Sequence, residues 1–356
     1  MSVVEVGITE RPYKVHVASG LLATCGDLVR QAMGTASKCV MISDSNVAAL
    51  HGNGLKTALE AAGFEVVGFV VPAGESSKSM TRVSEACDMM IAAGLDRSSF
   101  VVALGGGVVG DLAGFVASVF YRGIPYVQVP TTVLAQVDSS VGGKTGVNAP
   151  GGKNLIGAFH HPALVLADVE TLQTLPEREF NEGMAEVIKH GIIRDAALVR
   201  DAVNLARSHR EELIIRNVKI KAGIVCKDPF EKSDLRALLN FGHTVGHAIE
   251  QVAGYGRFLH GEAISMGIAA ALHLSSRLAG LPASDVHVVR GSLASLGLPL
   301  TIPADLEADR LLVAMSHDKK FHQGRIRFVL TKALGSAFVS DAVQESDLRE
   351  AISACR

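Results

Sequence analysis

Along the first half of the chain, nearly continuous apolar runs alternate with stretches of mixed polarity. "KCVMISD" (38–44), "FEVVGFVVP" (64–72) and "SFVVALGGG" (99–107) are rich in β-branched residues and stop at acid, proline or glycine, so each predicts a strand. Between them, "NVAALHGNGLKTALEAAG" and "SMTRVSEACDMMIAAG" space their apolar positions at the helical period. Strands that lack polar alternation are buried on both faces, and the order strand, helix, strand, helix, strand predicts a parallel sheet covered by helices. "YVQVP" (126–130) and "ALVLAD" (163–168) are expected to extend that sheet. From about residue 176 the texture changes: "LPEREFNEGMAEVIKHGIIRDAALVRDAVNLA", "RALLNFGHTVGHAIE" and "GEAISMGIAAALHLSSRLAG" all predict helices, with little β signal before "GRIRFVL" (324–330). The expected fold is therefore an α/β domain over residues 1–175 and a mainly α-helical domain over 176–356, a length that suits two hydrophobic cores better than one. No repeat or low-complexity tract interrupts it, and the glycine-rich 139–157 stretch is expected to be a long irregular loop.

Composition narrows the partners. Lys and Arg number 34 against 36 Asp and Glu, with no basic run, which gives no electrostatic footprint for nucleic acid or an anionic membrane. A small-molecule partner is expected. Five scattered cysteines without a C-x-x-C pair fit reduced thiols and make poor zinc ligands. Neither a signal pattern at the N-terminus nor an apolar run of membrane length is present, so a cytoplasmic protein is expected.

Four features carry candidate chemistry, each with a structural alternative. "ALGGGVVGDLAGFVA" follows a predicted strand and opens a helical pattern, so Gly105, Gly107 and Gly110 satisfy G-x-G-x-x-G. Such a turn either cradles a pyrophosphate on helix N-terminal amides or serves close packing. Asp44, at a strand end, suits a ribose hydroxyl or the N-cap of the next helix. In "GGKTGVNAPGGKN", Lys144, Lys153 and Asn154 suit a phosphate or carboxylate, or else decorate a solvated loop. His243 and His247 stand four apart in "GHTVGH", on one face of a predicted helix. Spacing alone makes them co-ligands of one metal or two core histidines, with His260 and Glu186 as more distant candidates.

The blocks "GGGVVGDLAGFVAS", "QVPTTVLAQVDSSVGGKTGVN", "GKNLIGAFHHP", "TLPEREFNEGMAEVIKHGII", "RALLNFGHTVGHAIE", "LHGEAISMGI" and "HDKK" occur in an order and spacing that resemble the 3-dehydroquinate synthase family, over about residues 38–330. The resemblance implies an N-terminal NAD-binding α/β domain, a mostly helical C-terminal domain, a divalent metal such as zinc or cobalt, and an active site in the cleft between the domains. It assigns the metal to Glu186, His243 and His260, and leaves His247 as a catalytic group. It further implies that Lys221, Arg236 and Asn240 line the substrate site, the first two facing the carboxylate, and that Lys144, Lys153, Asn154 and Lys319 or Lys320 surround the phosphate. For NAD it points to Asp44, Asn46, Glu75, Lys78, Gly105, Gly106, Gly107, Asp111, Thr131, Thr132 and Asp138, with Lys144 and Lys153 beside them. Arg122 resembles an arginine that reaches into the partner subunit's site, which implies a homodimer.

The implied reaction converts 3-deoxy-D-arabino-heptulosonate 7-phosphate to 3-dehydroquinate and phosphate, a step of the shikimate pathway, by transient oxidation, elimination, reduction, ring opening and aldol closure. Three other readings compete: a related cyclase making 2-deoxy-scyllo-inosose or a valiolone, a metal-dependent polyol dehydrogenase, and a non-catalytic NAD-binding protein. The retained Arg236, Asn240 and His247 favour a carboxylate-bearing substrate, and the lysines of 142–154 count against the dehydrogenase. Pro229 and Phe230 depart from the commoner family form between Lys221 and Arg236. No motif was matched in the first 37 residues or the last 25.

Overall fold

A computed structural model describes the chain apart from residues 10, 255, 317–320 and 323–324. It falls into two compact units, Met1–Pro176 with Lys221–Phe230, and Glu177–Ile220 with Glu231–Arg356.

The first unit is built on nine strands: β1 Ser2–Val6, β2 Tyr13–Ala18, β3 Lys38–Asp44, β4 Glu65–Val71, β5 Phe100–Gly105, β6 Tyr126–Pro130, β7 Lys144–Ala149, β8 Gly152–Phe159 and β9 Leu164–Asp168. Seven of them form one sheet in the order β1-β2-β9-β6-β5-β3-β4. Every pairing in it is parallel except the β1–β2 hairpin. Alternation through the pleat explains the unbroken apolar runs. Cys39, Met41, Val102 and Leu104 join one core cluster, whereas Val40, Ile42, Val101 and Ala103 join the other. Helices Gly26–Met33 and Asn53–Ala61 supply the first cluster; Met80–Ala92 and Gly107–Val119 supply the second.

From β3 the chain crosses to β4 on one side and then returns to β5 on the other. The connections leaving β3 and β5 thus diverge, opening a crevice outside their carboxyl ends, the place where open α/β sheets bind ligands. Asp44 and Gly105 are the last residues of those two strands.

The N-terminal segment, in which no motif is matched, contributes two strands to the sheet. The expected irregular loop at 139–157 is instead, from Lys144 on, a two-stranded antiparallel ribbon, β7 with β8. Its glycines explain the misreading. A Cβ on Gly146 would lie 2.5 Å from the Ile156 carbonyl oxygen, and one on Gly157 would lie 2.2 Å from that of Thr145. These are strand glycines that let two backbones close, where composition alone suggests a loop.

The second unit is mainly helical: Glu177–Arg194, Ala196–Ser208, His243–Ala253, His260–Ala279, Ala283–Ser295, Ala308–Ser316 and Glu345–Ala354. A small antiparallel sheet joins β10 Phe321–His322, β11 Arg325–Thr331 and β12 Ala337–Val343. Among the described residues no helix is long and apolar enough to cross a membrane.

Candidate functional site

Three helices of the second unit meet where Glu186, His243 and His260 converge. Glu186 lies within Glu177–Arg194, whereas His243 and His260 are each the first residue of a helix. Glycines make the approach possible. A Cβ on Gly261 would lie 1.8 Å from the Glu182 carbonyl oxygen, and one on Gly267 would lie 2.0 Å from that of Gly242. Cβ atoms on Gly242 and Gly246 would lie 2.7 Å from the side chains of Ile268 and Ile264. The glycine before each histidine of "GHTVGH" therefore forms the packing face, and the histidines occupy the neighbouring one.

The donors are aimed by their other atoms. Nδ1 of His243 lies 3.2 Å from the Phe241 carbonyl, which can only accept, so Nδ1 carries the proton and Nε2 the lone pair. That Nε2 faces Glu186 Oε1 at 3.4 Å. His260 approaches the same oxygen through Nε2 at 3.7 Å, while its Nδ1 is held 3.3 Å from Glu250 Oε2. Burial pushes His243 well below the usual imidazole range, overriding the opposing pull of Glu186, so it is neutral. A buried lone pair facing a carboxylate oxygen is a repulsive arrangement that a cation between them resolves. At His260 burial works against charge, yet Glu186 and Glu250 raise the imidazole to about 10, so the cluster favours positive charge at this point. Two imidazole nitrogens and one carboxylate are a donor set that divalent zinc takes in catalytic sites, with a position left open.

His247 joins a second possible group with Glu250 and His260, and in each group the ligand atoms lie within 4.8 Å of one another. The hydrogen bonds favour the first group, because Glu250 already buttresses Nδ1 of His260, a role that orients a ligating imidazole. His247 is exposed, its ring centroid 5.2 Å from that of His243 and 5.9 Å from that of His260. Both Glu250 and Lys189 escaped sequence reasoning. Lys189 is fully buried and paired with Glu186 through Oε2, the oxygen that the histidines do not face. Glu182 and His190 lie on the same side of that helix, so a lysine three residues after a candidate ligand does not stand out in the linear pattern.

In the first unit, Gly106 caps the helix Gly107–Val119 without a side-chain hydrogen bond. Cβ atoms on Gly105, Gly106 and Gly107 would meet Val109 at 2.7 Å, Thr132 at 3.0 Å and Ser139 at 3.2 Å. Gly110 is a packing glycine, since its Cβ would lie 2.7 Å from Gln128 Oε1. Next to this turn, Thr131 Oγ1 is buried with no hydrogen-bond partner among the described residues. Bare helix amides and an orphaned hydroxyl at the end of β6 fit an anionic nucleotide. Thr132 Oγ1 accepts from the Ala135 amide at 3.1 Å. Asp44 Oδ1 accepts from the amides of Asn46 and Val47 at 2.9 and 3.1 Å. The N-cap reading of Asp44 is thus observed.

Lys78 is buried and donates to Asp111 Oδ2 and Asn154 Oδ1, each at 2.5 Å. Burial raises the Asp111 carboxyl above its ordinary range, and Lys78 opposes that rise. Glu75 Oε1 accepts from Asn148 Nδ2 at 2.8 Å. Lys221 reaches Asp138, with Nζ 2.7 Å from Oδ1 and 2.5 Å from the carbonyl oxygen, so it is held by an aspartate that was expected on the nucleotide. Phe230, one of the departures, meets Phe159 edge-on at 5.9 Å. Lys144 opens β7 exposed, and Lys153 is half-buried on β8. Arg122 is exposed beside Tyr121, and both adopt left-handed φ, 70° and 49°. Arg236 is buried in the short turn Arg236–Asn240 that precedes His243, with Asn240 half-buried at its end. Lys319 and Lys320 lie outside the described residues.

Comparison with known proteins agrees over the full length. Residues 68–182 match the model described as "3-dehydroquinate synthase N-terminal", and 183–321 match "3-dehydroquinate synthase C-terminal". The chain is 46% identical to the 3-dehydroquinate synthase of Symbiobacterium thermophilum, over 98% of this chain and 99% of that one. Among solved structures it is similar to 2-deoxy-scyllo-inosose synthase complexed with carbaglucose-6-phosphate, NAD+ and Co2+, at 27% identity and a TM-score of 0.88 over 100% of both chains. A 2-epi-5-epi-valiolone synthase from Streptomyces hygroscopicus with NAD+ and Zn2+ bound matches at 29% identity and a TM-score of 0.88, over 98% of each chain.

Proposed function

We propose a reaction for this chain from one premise: the chain belongs to the 3-dehydroquinate synthase family. It is an enzyme, a phosphate-eliminating lyase that converts 3-deoxy-D-arabino-heptulosonate 7-phosphate to 3-dehydroquinate and phosphate, and it uses NAD and one divalent metal. The observation that carries the reading is the Glu186–His243–His260 cluster, in a chain 46% identical over 98% of its length to a synthase of that name. The lower identity to the inosose and valiolone cyclases, 27% and 29%, supports the carboxylate-bearing substrate over theirs.

Glu186, His243 and His260 would hold the metal, and the crevice residues Asp44, Asn46, Gly105 to Gly107, Thr131 and Thr132, with Glu75, Lys78 and Asp111, would hold NAD. When bound, the metal would supply Lewis-acid polarisation of substrate oxygen and NAD a reversible hydride acceptor, with no net oxidation. Arg236 and Lys221 orient the carboxylate, Arg236 by the fork that matches it. Lys144, Lys153 and Asn154, with Lys319 or Lys320, neutralise the phosphate, and positioned cations stabilise its charge as it departs. Asn240 fixes a substrate hydroxyl. The exposed imidazole of His247, beside the ligands, moves a proton between substrate and solvent.

Arg122 serves the partner subunit of a homodimer. Two adjacent left-handed residues store about 1–3 kcal/mol each, strain of the kind that persists at functional segments, and this supports the aimed role of Arg122. Five free cysteines suit a reducing compartment, and the enzyme is read as cytoplasmic. The test is to incubate the protein with the heptulosonate phosphate, substoichiometric NAD and Zn2+ or Co2+, and to follow phosphate against NADH. Phosphate far in excess of NAD without lasting NADH is expected, and product identification separates the cyclases; steady NADH accumulation would overturn the reading in favour of a dehydrogenase.

A further inference from the structure

Asn148 stands where β7 departs from regular pairing with β8, at the register shift between Val147 and Ala149. A bulge of this kind withdraws one residue from the ladder and re-aims it. Its amide donates instead to the Lys78 carbonyl at 2.9 Å, forming a lone bridge between Ser79 and Asn148. The side chain works in both directions: Nδ2 donates to Glu75 Oε1 at 2.8 Å, and Oδ1 accepts from the Asn154 amide at 2.9 Å. Asn154 itself sits at a left-handed φ of 58° and accepts from Lys78 Nζ at 2.5 Å, which closes a ring of bonds through Asn148, Asn154 and Lys78.

We propose that Asn148 is a positioning residue that locks the 75–78 segment, read above as nucleotide-binding, to Asn154 at the phosphate end of the substrate. The inference rests on that reading of Glu75, Lys78 and Asn154. The carboxamide serves both partners from separate atoms, Nδ2 donating to a carboxylate while Oδ1 accepts from an amide. Remove it and Glu75 loses its donor, while Asn154 loses the bond that holds its strained backbone. The nucleotide and phosphate ends are then no longer ordered together.

The test uses calorimetric titration of NAD into the full-length protein, with KM and kcat measured alongside. Asn148→Ala should weaken NAD about tenfold, equivalent to 1.4 kcal/mol, and raise KM for the sugar phosphate, with metal content unchanged. Asn148→Asp is nearly isosteric and gives a signature that a merely structural role would not. It sets a second carboxylate against Glu75, in surroundings that also contain Lys78, Asp111 and Lys221. A proton shared by two close carboxylates is bound more tightly than usual and restores the missing donor. NAD binding to N148D should therefore recover as pH falls, whereas the parent protein shows no matching recovery. Parent protein that binds no NAD would remove the nucleotide reading itself. Parent protein that binds NAD, with both variants equal to it at every pH, would overturn the role of Asn148 alone.

Discussion

At the residue scale the two histidines of "GHTVGH" part company. Their four-residue spacing is equally compatible with joint ligation, and what separates them is the direction of the second ring nitrogen and the depth of burial. His243 gives its Nδ1 proton to the Phe241 carbonyl and turns Nε2 toward Glu186, while His247 is exposed. His243→Ala should therefore abolish stoichiometric zinc, measured by mass spectrometry of the dialysed protein. His247→Ala should keep the metal and lose turnover by about 10²–10⁴-fold, the usual worth of a proton-transfer group. Equal metal loss in both variants would show the division to be wrong. The family blocks made Glu186, His243 and His260 readable as candidates. Glu250 and Lys189 were not readable, because their partners lie on other helices or depend on a burial that the linear pattern does not announce.

Among elements, the helices of the second unit can hold a three-donor cluster because their crossings are made of glycine. Gly261 follows His260 directly, and its α-hydrogen faces the Glu182 carbonyl where a methyl group has no room. Gly261→Ala should cost about 3 kcal/mol in stability by forcing the two helices apart. Zinc affinity should fall with it, read by denaturant titration and by competition with a chelator. A variant with parental stability and parental zinc affinity would mean that the crossing does not set the ligand geometry. The strands of the parallel sheet were legible because full burial leaves continuous apolar runs; the β7–β8 ribbon was not. Its glycines carry the sequence signature of a loop, and only the close approach of Gly146 and Gly157 across the ladder reveals their use.

For the whole molecule, the reading of Arg122 as a residue given to the partner predicts complementation between inactive subunits. Arg122→Ala and His247→Ala should each be nearly inactive alone. Co-refolded in equal amounts, half the dimers are mixed and each mixed dimer has one intact site, so activity should recover to roughly a quarter of the parent's. Recovery absent in a mixture shown to contain mixed dimers would place Arg122 in its own subunit's site. Taken alone, the sequence determined the parallel sheet, the change to helices near residue 176, the near-neutral charge and the family blocks that name most candidate residues. Each of these is written in local period, in composition or in contiguous motif. Only the tertiary structure decided which ring nitrogen faces Glu186, that Lys78 and Asn154 share a bond across 76 positions, and that Lys221 holds Asp138 from 83 positions away. Those facts depend on distances between residues remote in the chain, and such distances exist only once packing has fixed the backbone.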